Sequence, residues 1–332
     1  MNQLKLPFDD ASHCKSQTSS LTYFAFSSSS RSEPSLSPTK SQVGEMPEVL
    51  AGRYRIERSL GAGGMGRVYR ARDLLGEQFN DPDPYIALKV LSDEFAESPD
   101  ASALLFSEFA LTRRLHHENI VRVHSFGVDT DCKRAFFTME LMRGLTLDKL
   151  LCERPLGMPW KELRCVVLSL LDALASAHAA GVLHGDIKPG NVMLSDERIR
   201  LFDFGLGQAQ DGTLSGLPHL SRERFNAWTP GYAAPELLDG ESLSASADIY
   251  GVACMVYELA CGRHPFHRLS STLAREQRLD RHLQAPRHLP SYCWPALRTA
   301  LALHATQRVI SASELVEAMR VKPSWLHRLA FR

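Results

Sequence analysis

Residues 184–191, His-Gly-Asp-Ile-Lys-Pro-Gly-Asn, place a carboxylate, a cation and an amide in one short segment. Asp203-Phe204-Gly205 follows twelve residues after Asn191, directly behind the strand-like run Ile199-Arg200-Leu201-Phe202. This inventory suits phosphoryl transfer. A carboxylate such as Asp186 can receive the proton of an attacking hydroxyl. Hard oxygen donors, here those of Asn191 and Asp203, suit magnesium. Cations such as Lys89 and Lys188 offset charge on a transferring phosphoryl group. Read alone, Lys89 between Leu88 and Val90 is a solvent-facing strand lysine. Read alone, Glu108 is a solvated helix residue, though it falls on the next helical segment and can pair with Lys89.

Gly61, Gly63 and Gly66 form G-x-G-x-x-G in the segment LGAGGMGRVYRA. Glycines let a backbone approach phosphates and donate N–H groups to them. A dinucleotide turn would need a helix to open at the third glycine, but Val68-Tyr69-Arg70-Ala71 favours a strand. A Walker A loop is excluded, because no Gly-Lys-Ser/Thr follows.

The elements that must position these residues follow from periodicity. Tyr54 to Leu60, Arg67 to Arg72, Tyr85 to Leu91, Ile120 to Val128 and Arg134 to Leu141 read as strands. Residues 76–84 read as a turn-rich loop. Leu104, Leu105, Phe109, Leu111 and Leu115 give 101–115 a helical spacing. After Gly144 the character turns helical, with helices over 160–180, 245–261 and 311–320. Strands first and helices second suggest two lobes. Residues 1–47 are rich in serine and proline, with four serines at 27–30. They read as a disordered leader.

With these motifs in order, the chain resembles the protein kinases of the Ser/Thr type, and among them the bacterial eukaryotic-like kinases. The resemblance covers about 54–320 and adds Ala87-Leu88-Lys89 and Ala234-Pro235-Glu236 to the motifs above. It implies an α+β, bilobal protein-kinase-like fold: a small strand-rich N-lobe (54–142) with one main helix, and a larger helical C-lobe (143–320). Residues 321–332 form a short tail. ATP and Mg2+, or Mn2+ in its place, are the implied cofactors, and Ser/Thr hydroxyls of proteins the implied acceptors. By the same resemblance Gly61, Gly63 and Gly66 cover the phosphates. Lys89 holds the α- and β-phosphates, and Glu108 positions it. Asp186 is the base, Lys188 meets the γ-phosphate, and Asn191 and Asp203 bind metal. Leu60, Val68, Ala87, Met139, Glu140, Met142 and Met193 enclose the adenine, with Met139 as gatekeeper. Asp248 anchors the catalytic segment, Glu236 and Arg308 form a buried ion pair, and Thr229 to Tyr232 face the substrate.

One position departs from the family pattern. Gly185 stands where arginine usually precedes the catalytic aspartate. That arginine often grips a phosphorylated activation loop, so activity is expected to depend weakly on phosphorylation of Thr213, Ser215 or Ser221 unless Arg222 or Arg224 takes over the contact. His-Gly-Asp also occurs in small-molecule phosphotransferases of the aminoglycoside and choline type, which lack the Asp-Phe-Gly, Ala-Pro-Glu and Thr-Pro-Gly-Tyr elements. A catalytically dead binding scaffold is the other alternative, against which Lys89, Asp186, Asn191 and Asp203 are all intact.

Composition limits the remaining possibilities. The 332 residues carry 38 basic and 38 acidic side chains, a poor balance for broad nucleic-acid binding. No apolar run approaches the roughly 18 residues of a membrane span, and the N-terminus does not read as a secretory signal. Seven scattered cysteines without a C-x-x-C pair favour reduced thiols. A cytoplasmic location is expected, with export as an effector left open. Autophosphorylation of the serine-rich leader is a further expectation.

Overall fold

A computed structural model describes residues 46–62, 66–92, 99–195, 198–209 and 228–320. The strand-rich part runs β1 (Val49–Leu50), β2 (Tyr54–Ala62), β3 (Gly66–Asp73), α1 (Leu74–Gln78), β4 (Tyr85–Leu91), α2 (Pro99–Arg114), β5 (Val123–Val128) and β6 (Ala135–Glu140). Its strands form one antiparallel sheet in the order β1-β2-β3-β4-β6-β5. Register sets the two faces. Val68, Lys89 and Phe137 lie opposite one another across β3, β4 and β6, and Ala87 lies opposite Met139. Val68, Ala87, Phe137 and Met139 join Leu104, Leu105 and Phe109 of α2 in one apolar cluster. Tyr69, Ala71, Leu88, Val90 and Phe136 fill a second cluster with Leu50 and Tyr54. β4 is therefore covered on both faces, as its near-continuous apolar run requires.

The helical part runs β7 (Leu145–Thr146), α3 (Leu147–Glu153), α4 (Trp160–Ala179), β8 (Val182–Leu183), β9 (Val192–Leu194), β10 (Ile199–Leu201), β11 (Gln208–Ala209), α5 (Pro235–Leu238), α6 (Ala245–Cys261), α7 (Ser271–Glu276), α8 (Trp294–Ala300) and α9 (Ala312–Arg320). One large core gathers around α4 and α6. α6 is apolar nearly all round and buried on nearly all sides, as such a helix must be. Residues 119–121 stitch the two parts together. Val121 N–H donates to Leu201 O at 2.9 Å, and Asn119 Nδ2 donates to Ile199 O at 3.0 Å. The result is the expected α+β, two-lobed architecture.

Two readings are corrected. Residues 76–84 are not all loop: α1 covers their start, because Asp73 caps it by accepting from Leu75 N–H and Gly76 N–H. The strand expected from Ile120 begins at Val123. The serine-rich leader to residue 45 and the tail from 321 lie outside the described residues.

Glu236 on α5 and Arg308 make a buried, fully hydrogen-bonded ion pair. Arg308 Nη1 lies 2.6 Å from Glu236 Oε1, and the two side chains are 0% and 6% exposed. Its other N–H groups donate to Ala302 O and to the backbone and hydroxyl oxygens of Ser246. Breaking such a pair strands a charge in the core. Arg308→Met is therefore expected to cost about 3–5 kcal/mol of folding stability, measured by equilibrium urea denaturation. Adding Glu236→Gln to it should recover a large part of the loss.

Candidate active site

Lys89 is not solvent-facing: it is 9% exposed, because both faces of its sheet are covered. Its Nζ lies 2.6 and 2.8 Å from the two Glu108 oxygens and 2.7 Å from Asp203 Oδ1. One cation thus joins β4, α2 and the segment after β10. Two carboxylates compete for it in a largely buried site. Burial pushes the Glu108 carboxyl up to about 7, against the pull of Lys89, and the charge of Asp203 pushes the same way. Asp203 is the more open of the two, with 32% of its side chain exposed. Burial pushes its carboxyl up, but the cations of Lys89 and Lys188 outweigh this and hold it down at about 2. Burial also works against the Lys89 ammonium, and the two carboxylates overcome it and raise its pKa. Asp203 sits at φ +67, a strained backbone for a non-glycine residue and a mark of functional sites.

The segment 184–191 curls over α6. Asp248 in the first turn of α6 accepts from His184 N–H at 2.9 Å and Gly185 N–H at 2.8 Å, and its Oδ2 is 2.9 Å from His178 Nε2. His184 Nδ1 accepts from Asp186 N–H, so its Nε2–H donates to Phe202 O at 3.1 Å. Burial pushes the His184 imidazole below its ordinary pKa, which keeps this neutral tautomer. The ring also packs on Phe204, 4.5 Å between centroids. Gly185 takes φ +83, and a Cβ there would lie 2.6 Å from Leu206 O. The departure from the family pattern thus falls where glycine carries no strain.

Asp186, Lys188, Asn191 and Thr229 form one cluster. Lys188 Nζ is 2.6 Å from Asp186 Oδ2 and 3.1 Å from Thr229 Oγ1. Asn191 Nδ2 donates to Asp186 O at 2.8 Å and Asp186 Oδ2 at 3.2 Å. With the amide nitrogen so engaged, Asn191 presents its oxygen as the remaining donor atom. Phe202 N–H donates to Asn191 O at 3.0 Å, which brings Asn191 beside Asp203. An amide oxygen and a depressed carboxylate are hard donors, and this pair fits a divalent cation such as Mg2+.

Among the expected adenine-site residues, Val68, Ala87, Met139 and Met142 belong to the same apolar cluster. Glu140 and Met142 follow at the end of β6, where Glu140 also accepts from Arg122 N–H and Arg200 Nε. Leu60 is 39% exposed on β2, and Met193 lies on β9; both stand outside that cluster. Gly61 has open space around it. Gly66 serves packing, since a Cβ there would meet Val90 O at 2.5 Å. Gly63, Thr213, Ser215, Ser221, Arg222 and Arg224 lie outside the described residues. The sequence reading missed Asp148 in the first turn of α3. Its Oδ1 is buried without a hydrogen-bond partner among the described residues, and its carboxyl faces Gly190. In the sequence only its place at the start of a helix marked it.

Comparison with known proteins gives this geometry a family. A model of the protein kinase domain matches residues 54–319. The serine/threonine-protein kinase PkaA of Streptomyces coelicolor is 32% identical over 82% of this chain and 50% of its own length. The serine/threonine-protein kinase pkn3 of Myxococcus xanthus is 35% identical over 66% of this chain and 39% of its own. The chain therefore spans about half or less of these curated relatives. The crystal structure of the PknI kinase domain of Mycobacterium tuberculosis aligns at TM-score 0.59 and 27% identity, covering 83% of this chain and 98% of that domain. The chain that sets Lys89 between Glu108 and Asp203 belongs to the protein kinase family.

Proposed function

We propose that this chain is a protein serine/threonine kinase that moves the γ-phosphoryl group of ATP onto Ser or Thr hydroxyls. The observation that carries this reading is the hold of Lys89 on both Glu108 and Asp203. It draws β4, which pairs with β3 of the glycine-rich hairpin, together with α2 and the Asp-Phe-Gly segment into a single constellation. The names of the relatives, serine/threonine-protein kinases, support the acceptor class.

In this reading the loop of Gly61, Gly63 and Gly66 covers the phosphates. Leu60, Val68, Ala87, Met139, Met142 and Met193 enclose the adenine, and the backbones of Glu140 and Met142 bind its edge. Lys89, positioned by Glu108, holds the α- and β-phosphates. Asn191 and Asp203 hold Mg2+ or Mn2+, which when bound neutralises phosphate charge and orients the γ-phosphoryl group. Asp186 accepts the proton as the substrate oxygen bonds to the γ-phosphorus and the bond to the departing ADP oxygen breaks. Lys188, already on Asp186 and Thr229, stabilises the charge on the moving group.

Two further parts of the reading concern context. Among the described residues no helix is long and apolar enough to cross a membrane. The six cysteines among the described residues are free thiols. Those thiols, together with the use of ATP, favour the cytoplasm as the place of action. The serine-rich leader is the acceptor this reading assigns to autophosphorylation. The small-molecule alternative is disfavoured by Thr229, which brings a loop for a peptide against Asp186.

Transfer of label from γ-labelled ATP tests the function, on the chain itself, a generic basic protein and an aminoglycoside. Label is expected on Ser or Thr of protein. Asp186→Ala should lower kcat by about 10²–10⁴-fold while the chain still binds a fluorescent ATP analogue. Label on the aminoglycoside alone would overturn the reading. Lys89→Met should weaken catalysis by about 10²–10³-fold, read as kcat/KM for ATP. Its denaturation profile would show whether folding is retained.

A further inference from the structure

The substrate-facing turn leads from the catalytic carboxylate to a second charged group that the reaction does not use. Thr229 Oγ1 donates to Asp186 Oδ1 at 3.3 Å and pins the start of the turn. Tyr232 N–H and Ala233 N–H donate back to Thr229 O, closing it. Gly231 then lies against Arg268: a Cβ at 231 would be 3.6 Å from Arg268 Cα and O. Tyr232 OH donates to Glu258 Oε2, and Arg268 Nε and Nη2 donate to Glu258 Oε1 at 3.1 and 2.7 Å.

Glu258 is buried on the last turn of α6, with 3% of its side chain exposed. Both of its oxygens are engaged inside the protein, and it offers nothing to a peptide. Arg268 differs: 61% of its side chain is exposed. A guanidinium carries five N–H donors in a planar fork. Glu258 uses the Nε and Nη2 edge and fixes the plane. Among the described residues nothing else takes the Nη1 edge, which is left for a second carboxylate in a geometry that costs little further ordering. The loop accepts strain to make this presentation, since His267 and Arg268 both take left-handed φ values, 55° and 58°. Arg268 N–H is held by His264 Nδ1 at 3.1 Å.

We propose that Arg268 is a specificity-determining residue that selects an acidic side chain close to the acceptor hydroxyl; this rests on the protein-kinase reading above. The spacing sets the reach. Asp248, beneath the catalytic segment, and Glu258, beneath Arg268, are ten residues apart on α6, about 15 Å at 1.5 Å per residue. An extended peptide advances about 3.3–3.6 Å per residue. An Asp, Glu or phosphorylated residue within about four positions of the acceptor spans that distance. Glu258 also gives Arg268 a second consequence. Without the guanidinium, a carboxylate faces the peptide, and the preference should turn toward lysine or arginine.

The test uses the full chain and a set of Ser-centred peptides carrying Ala, Glu or Lys at each of four positions on either side. The wild type should favour Glu over Ala by about 3- to 10-fold in kcat/KM at one or more of these positions, chiefly through KM. Arg268→Ala should abolish the ratio and raise the Lys peptide above the Ala peptide. Arg268→Gln, which keeps a hydrogen bond to Glu258, should lose the Glu preference without gaining the Lys one. A wild-type enzyme that discriminates less than twofold at every position overturns the proposal, whatever the variants do. So does a Glu preference that survives in Arg268→Ala or Arg268→Gln. Labelling of the chain itself or of a basic protein, run alongside, separates the two readings. With label there and no charge preference, only the role of Arg268 fails. With no label on any protein, the kinase reading fails.

Discussion

The structure depends on one buried cation shared by two carboxylates. Lys89 is largely cut off from water, and burial alone would favour its neutral form. Glu108 and Asp203 keep it charged, and each comes from a different part of the chain. The strand, the helix and the Asp-Phe-Gly segment must therefore stay in register for any of the three charges to be tolerated. The cluster is also overfilled with negative charge, two carboxylates to one ammonium. The excess falls on the more enclosed Glu108, pushed up, while Asp203 remains ionised and faces the cleft. That asymmetry puts the ionised group at the position proposed to hold a divalent cation, and the carboxyl with the raised pKa at the position proposed only to orient Lys89.

α6 is the second organising element, and it works by supplying carboxylates at fixed heights. Asp248 in its first turn collects two backbone N–H groups of the catalytic segment, which would otherwise be buried and unpaired. Glu258 in its last turn collects Tyr232 and Arg268. Both are buried among apolar side chains of the same helix, so neither can drift. Gly185 belongs to the same arrangement. Its N–H must reach Asp248 while its backbone passes within contact of Leu206, and the left-handed φ that this requires costs glycine nothing.

Much of this was legible in the residues. Asp186, Lys188, Asn191 and Asp203 are close in sequence, and their chemistry is shared, so spacing alone pointed to phosphoryl transfer. The resemblance to the kinases brought Lys89 and Glu108 to the same place. What the sequence concealed were features that depend on long-range packing. Tyr85 to Leu91 carries apolar residues on both faces, so no alternation told which way Lys89 points. Gly66 looked like a phosphate-binding glycine, yet its missing side chain makes room for Val90 O. Asp148 resembled any acid in a helix's first turn, and only its unpartnered oxygen in the fold set it apart. α1 was hidden by turn-forming residues, because one cap from Asp73 suffices to start a five-residue helix.

The two arginine–glutamate pairs of the larger lobe show how burial alone changes what a salt bridge does. Arg308 is fully enclosed, with its donors spent on Glu236, Ala302 and Ser246. Such a pair has no donor left over and can only hold α5 against α6. Arg268 meets an equally buried glutamate but stands half in water, with one edge of its guanidinium uncommitted among the described residues. The first arrangement stores the cost of a lone charge and so resists unfolding. The second gains little stability from its exposed member. Energy of folding therefore does not account for the left-handed backbone at His267 and Arg268, whereas the proposed presentation of a fixed cation beside the acceptor site would.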